Sequence, residues 1–111
     1  MKGASNMLEL NEKLYEESLA GAQPLLVEYW APWCIYCRRI TPAMEQVARR
    51  YAGRAIVGRV NIDELPGLAD RERIEVVPTL VLYHRGEALG SMVAPESRAR
   101  IEEFLDDHLG N

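Results

Sequence analysis

The sequence predicts an α/β fold: a central mixed β-sheet of about five strands flanked by about four helices, in three α/β/α layers. Short apolar runs of strand length alternate with stretches whose apolar residues recur at helical spacing. Strands joined by helical crossovers run parallel. Near the C-terminus two runs are separated only by His84-Arg85-Gly86-Glu87, a turn short enough for an antiparallel hairpin. A third observation locates the chemistry: the only two cysteines, Cys34 and Cys37, stand where a strand gives way to a helix.

Met7 to Leu10 is a short strand candidate. Asn11 can cap a helix over about Glu12–Leu19, which Gly21 ends and whose Leu14, Tyr15 and Leu19 share a face. Pro24 to Trp30 is apolar on both sides, as a central strand covered by helices must be. A second helix is predicted from about Cys34 to Tyr51, with Ile40, Met44, Val47, Ala48 and Tyr51 as its buried stripe. Pro42 inside it removes one hydrogen bond and predicts a kink. Ala55 to Ile62 is a second central strand, interrupted only by Gly58 and Arg59. Pro66 to Arg73 suits a short helix with proline at the tolerated first position. Val76 to Tyr83 reads as a strand entered through Pro78, and Ala88 to Val93 returns beside it. The last helix, about Glu96–His108, buries Ile101, Phe104, Leu105 and Leu109 before Gly110 stops it.

A chain of 111 residues with 48% apolar and 27% charged residues suits a single globular domain over 1–111, with 1–6 as a disordered lead-in. Its net charge of −4 argues against nucleic-acid binding. No apolar stretch approaches the roughly 20 residues that span a bilayer, and Met1 to Ala20 has no hydrophobic signal core. A cytoplasmic protein is therefore expected. Two cysteines three apart cannot staple a fold, and they supply only two of the four ligands of a structural zinc site. His84 and His108 do not make up the difference, so no metal is expected.

The Cys-x-x-Cys spacing at a helix start has a chemical consequence. Unpaired N–H groups there favour negative charge, so a cysteine in the first turn loses its proton more readily than a free thiol. A second cysteine one turn further can close a disulfide with it, which makes this a redox site. Glu28 lies among apolar neighbours on the central strand, where a carboxyl is costly unless paired or protonated. Arg59 on the adjacent strand can pair with it, hold it ionised and lower its pKa. The alternative is a solvated Glu28 at an edge.

Several stretches together resemble the thioredoxin family over nearly the whole chain. They are Trp30-Ala31-Pro32-Trp33-Cys34-Ile35-Tyr36-Cys37, Pro42, Val60-Asn61-Ile62-Asp63, Val77-Pro78-Thr79, Gly86-Glu87 and Glu103-Phe104-Leu105. The resemblance implies a cis Val77–Pro78 bond packed against the cysteines, and a Val77 backbone that pairs with a substrate strand. It implies Cys34 as the attacking thiolate, Cys37 as the resolving thiol, and Glu28, where the family often has aspartate, as the proton acceptor for Cys37. Trp33 is then an exposed substrate contact, and Val93 and Ala94 lie in the substrate-binding loop. Trp30 is expected to pack beneath the site, and Arg38 and Arg39 to form a solvated helix face. Two positions depart from the family pattern: Ile35-Tyr36 replaces the frequent Gly-Pro between the cysteines, and Ala94 replaces the usual glycine.

The implied activity is reduction of protein disulfides by a small monomer with no bound cofactor. Its electrons would come from NADPH through a flavin-containing thioredoxin reductase. Tyr36 also resembles the dithiol glutaredoxins, which keeps open a glutathione-coupled, isomerase or oxidase activity. A non-catalytic peptide-binding or assembly module is the reading from another class.

Overall fold

The computed structural model describes residues 7–110; the lead-in expected at 1–6 lies outside them. The elements are β1 (Leu8–Glu9), α1 (Glu12–Ala20), β2 (Leu25–Trp30), α2 (Ile35–Arg50), β3 (Ile56–Asn61), α3 (Pro66–Arg71), β4 (Thr79–His84), β5 (Glu87–Val93) and α4 (Arg98–Leu109). Among the described residues the five strands form one sheet in the order β1-β3-β2-β4-β5. The mixed α/β fold is as the sequence predicts.

Local chemistry sets most boundaries. The Asn11 side chain accepts from the Leu14 N–H at 2.8 Å and starts α1. Ser97 accepts from the Arg100 N–H at 3.1 Å, which places the start of α4 two residues later than expected. Gly110 ends that helix with a left-handed φ of 75°. The α2 helix runs unbroken from Ile35 to Arg50 through Pro42. Gly58 earns its place in β3 by close approach, since a Cβ there would stand 2.7 Å from the Leu10 side chain.

One expectation of direction is corrected. β1, β3 and β2 are parallel, but β4 runs antiparallel to β2 although a helix precedes it. The reason is length: α3 has six residues, about 9 Å of rise, and does not carry the chain back along a strand of about 20 Å. β4 therefore starts at the end where β3 finished. It also starts at Thr79 and not at Val76, because Pro78 has no N–H for the ladder.

Strand alternation divides the core between two faces. Leu26, Val57, Leu80 and Leu82 meet Met44, Val47, Ile101 and Leu105 of α2 and α4. Leu25, Val27, Tyr29, Val60, Val81 and Tyr83 meet Tyr15 of α1 and Leu68 of α3. The second face holds a buried chain of hydroxyls. Tyr15 and Tyr29 hydroxyls are 3.2 Å apart, those of Tyr29 and Tyr83 2.7 Å apart, and Tyr83 donates to Glu72 at 2.7 Å. Burial pushes the Tyr29 and Tyr83 hydroxyls well above the usual tyrosine pKa.

Candidate active site

β2 delivers the chain to Ala31-Pro32-Trp33, and Cys34 becomes the N-cap of α2. Its Sγ accepts from the Cys37 N–H at 3.1 Å, the orphan donor of a helix start. The two cysteines are joined by a disulfide with Cα atoms 5.3 Å apart. Cys37 is wholly buried, whereas Cys34 keeps 8% exposure. An incoming sulfur can therefore reach only the Cys34 side. Arg38, on the exposed helix face, donates to the Pro32 carbonyl at 2.8 Å and braces the preceding loop; Arg39 is exposed.

The Val77–Pro78 bond is cis, and the Val77 carbonyl lies 3.8 Å from Cys34 Sγ. Beside it, the Ala94 N–H donates to the Pro78 carbonyl at 2.9 Å from a left-handed backbone with φ 45°. That conformation is the physical ground for glycine at this place, and alanine is held in it here. Trp33 is 64% exposed, with Nε1 donating to Asp63 at 3.3 Å, and Ile35 is 71% exposed. Val93 is also exposed. Tyr36 is half-buried, and its hydroxyl donates to the Pro95 carbonyl at 2.8 Å, tying the α2 start to the loop after β5. Val76, exposed next to Val77, is a surface residue that sequence reasoning missed by assigning it to a strand. Its position directly before the Val-Pro-Thr stretch is the signal that pointed there.

Glu28 is wholly buried, so the solvated-edge alternative does not hold. It shares a face of β2 with Leu26, which packs under α2, and Trp30, which packs against the cysteines. Arg59 Nε lies 3.6 Å from Glu28 Oε1, a close ion pair without a hydrogen bond. The expectation that Arg59 would lower the Glu28 pKa is corrected in its net sign. Burial raises it more than Arg59 lowers it, and Glu9 adds to the rise, so the carboxyl moves from 4.5 up to about 7. Arg59 also lies over the Trp30 ring, 3.9 Å from its centroid. Trp30 itself is half-buried. His84 and His108 have structural partners, the carbonyls of Ala22 at 3.2 Å and Phe104 at 2.9 Å. No group of three or more His, Cys, Asp or Glu side chains suited to a metal occurs among the described residues, and no helix there is long and apolar enough to cross a membrane.

A mixed sheet presenting a Cys-x-x-Cys disulfide at a helix N-terminus, against a cis-proline loop, defines a thiol–disulfide oxidoreductase. Comparison with known proteins gives the family. The thioredoxin family model matches residues 6–107. Thioredoxin of Buchnera aphidicola subsp. Acyrthosiphon pisum (strain APS) is 33% identical over 106 residues, 95% of this chain and 98% of the relative. Thioredoxin of Acidithiobacillus ferridurans is 38% identical over 91 residues, 82% of this chain and 84% of the relative. Thioredoxin 1 of Synechococcus elongatus (strain ATCC 33912 / PCC 7942 / FACHB-805) is 34% identical over 94 residues, 85% and 88% of the two chains. The chain belongs to the thioredoxin family. Membership implies disulfide substrates and a reductase partner in general.

Proposed function

We propose that this protein reduces disulfides in other proteins by dithiol exchange. The Cys34 thiolate attacks a substrate disulfide, a mixed disulfide forms, and one substrate thiolate leaves. Cys37 then loses its proton to Glu28 and attacks Cys34 Sγ. The second substrate thiol is released, and Cys34–Cys37 becomes a disulfide. Two electrons pass to the substrate, and its departing thiolates take their protons from Glu28 and from solvent. Arg59 moderates the charge on Glu28. The single observation that supports this assignment of roles most directly is the asymmetry of the two sulfurs, one partly exposed at the helix cap and one wholly enclosed.

The substrate chain pairs with the Val77 backbone beside Pro78, and Trp33, Ile35, Val76, Val93 and Ala94 form its apolar rim. Tyr36 acts indirectly, by fixing Pro95. Because its hydroxyl is engaged inward, the resemblance of Tyr36 to glutathione-coupled proteins carries less weight than the apolar rim, which suits a polypeptide. Electrons come from NADPH through a flavin-containing thioredoxin reductase, and the protein works as a monomeric single domain in the cytoplasm. NADPH consumption with insulin as substrate tests this. Turnover is expected with thioredoxin reductase and not with glutathione and glutathione reductase. The reverse pattern would overturn the choice of reductant.

A further inference from the structure

Strand register aligns Glu9, Arg59, Glu28, Leu80 and Met92 in one row across β1, β3, β2, β4 and β5. The first three form a carboxylate–guanidinium–carboxylate series that starts in solvent and ends in the core. Side-chain exposure falls from 66% at Glu9 through 12% at Arg59 to 0% at Glu28. The guanidinium is not shared evenly. Its Nη1 donates to Glu9 at 3.2 Å, its plane lies over Trp30, and its Nε stops 3.6 Å short of Glu28. Both Glu28 oxygens, Arg59 Nε and Trp30 Nε1 are buried without a hydrogen-bond partner among the described residues. Unmet groups of this kind are costly, and a small turn of the arginine toward Glu28 would relieve two of them. The contact to Glu9 opposes that turn, together with the stacking on Trp30.

We infer that Glu9 is a positioning residue for the exchange reaction: it holds Arg59 toward the sheet edge and so stops the guanidinium from closing on Glu28 and fixing it as a permanent anion. This rests on the proposed role of Glu28 as proton acceptor for Cys37. The charges acting on Glu28 come from two strands. Arg59 on β3 lowers its proton affinity and Glu9 on β1 raises it. On β4 it meets Leu80 in register. The residues of α2 and α4 buried on this face of the sheet are Ile40, Met44, Val47, Ala48, Ile101, Phe104 and Leu105, all apolar, with Cys37 at the start of α2.

The test uses the full chain with Glu9→Ala, Glu9→Asp and Glu28→Gln. The Glu28 carboxyl is titrated directly by carbon NMR, alongside the pH profile of insulin reduction by the pre-reduced protein. Two strand spacings separate Glu9 from Glu28, roughly 10 Å, so loss of the outer charge alone would lower the Glu28 midpoint by about half to one pH unit, and Arg59 closing on Glu28 should lower it by more than that. In Glu9→Ala the inflection of the rate profile should move down with that midpoint, and Glu9→Asp should restore both. A midpoint in Glu9→Ala that does not move, or falls by no more than the outer charge alone gives, overturns the positioning role, including the case where only stability falls. Failure of the underlying reading looks different: Glu28→Gln would then leave the inflection of the rate profile in place.

Discussion

Burial of Glu28 couples its protonation to the stability of the fold. A carboxyl raised from 4.5 to about 7 binds its proton more tightly in the folded chain than in the unfolded one. Its contribution is therefore fully present below pH 4.5, falls as pH rises through about 7, and levels off above. A shift of that size corresponds to about 3 kcal/mol. Glu28→Gln should flatten the pH dependence of unfolding between about pH 5 and 8 and stabilise the protein at the upper end by about 2–3 kcal/mol. Urea unfolding at both pH values checks this, and wild-type stability that did not fall across the range would contradict it. In the proposed function Ile35, exposed beside Cys34, contacts the substrate. Ile35→Ser should lower kcat/KM for insulin by about 3–10-fold, mainly through KM, as loss of a partly buried aliphatic contact would. Oxidised dithiothreitol, which makes little contact outside the sulfurs, should be affected less. Equal losses on both substrates would assign Ile35 to sulfur chemistry instead.

At the scale of elements, the α1–α3 layer depends on the Tyr15–Tyr29–Tyr83–Glu72 hydroxyl chain. The unfolded chain ionises its tyrosines near pH 10, whereas the buried hydroxyls of Tyr29 and Tyr83 resist. Their contribution is present below about pH 10 and is lost as pH rises beyond it. Tyr83→Phe leaves Tyr29 and Glu72 each short of a partner, so it should cost about 1–2 kcal/mol at neutral pH. That deficit should narrow in unfolding measured above pH 10; a constant deficit would place the effect in packing alone. The strands and helices were legible because Asn11, Gly110 and the apolar stripes are local signals. The direction of β4 was not, because it depends on the reach of α3. At the site, the cysteines, Trp33 and the Val77-Pro78-Thr79 entrance were legible as linear motifs. The net proton affinity of Glu28 was not, since it is the difference between burial by the whole sheet and one opposing arginine. The inward bond of Tyr36 and the exposure of Val76 likewise depend on how a loop folds over the helix start.

For the molecule as a whole, the disulfide closes a very short loop, between residues three apart. Cross-links restrict the unfolded chain less as the loop shortens, giving about 2 kcal/mol here. The core on both sheet faces does not involve the bond, so the reduced protein should stay folded, with a Tm lower by about 8 °C. Calorimetry with and without reductant checks this; loss of the cooperative transition on reduction would refute it. The unequal burial of the two sulfurs has a practical outcome as well. After reduction, a brief pulse of iodoacetamide should add a single adduct to each native molecule and two to each denatured one. Intact-mass spectra of a pulsed sample would then report the proportion of native chains directly.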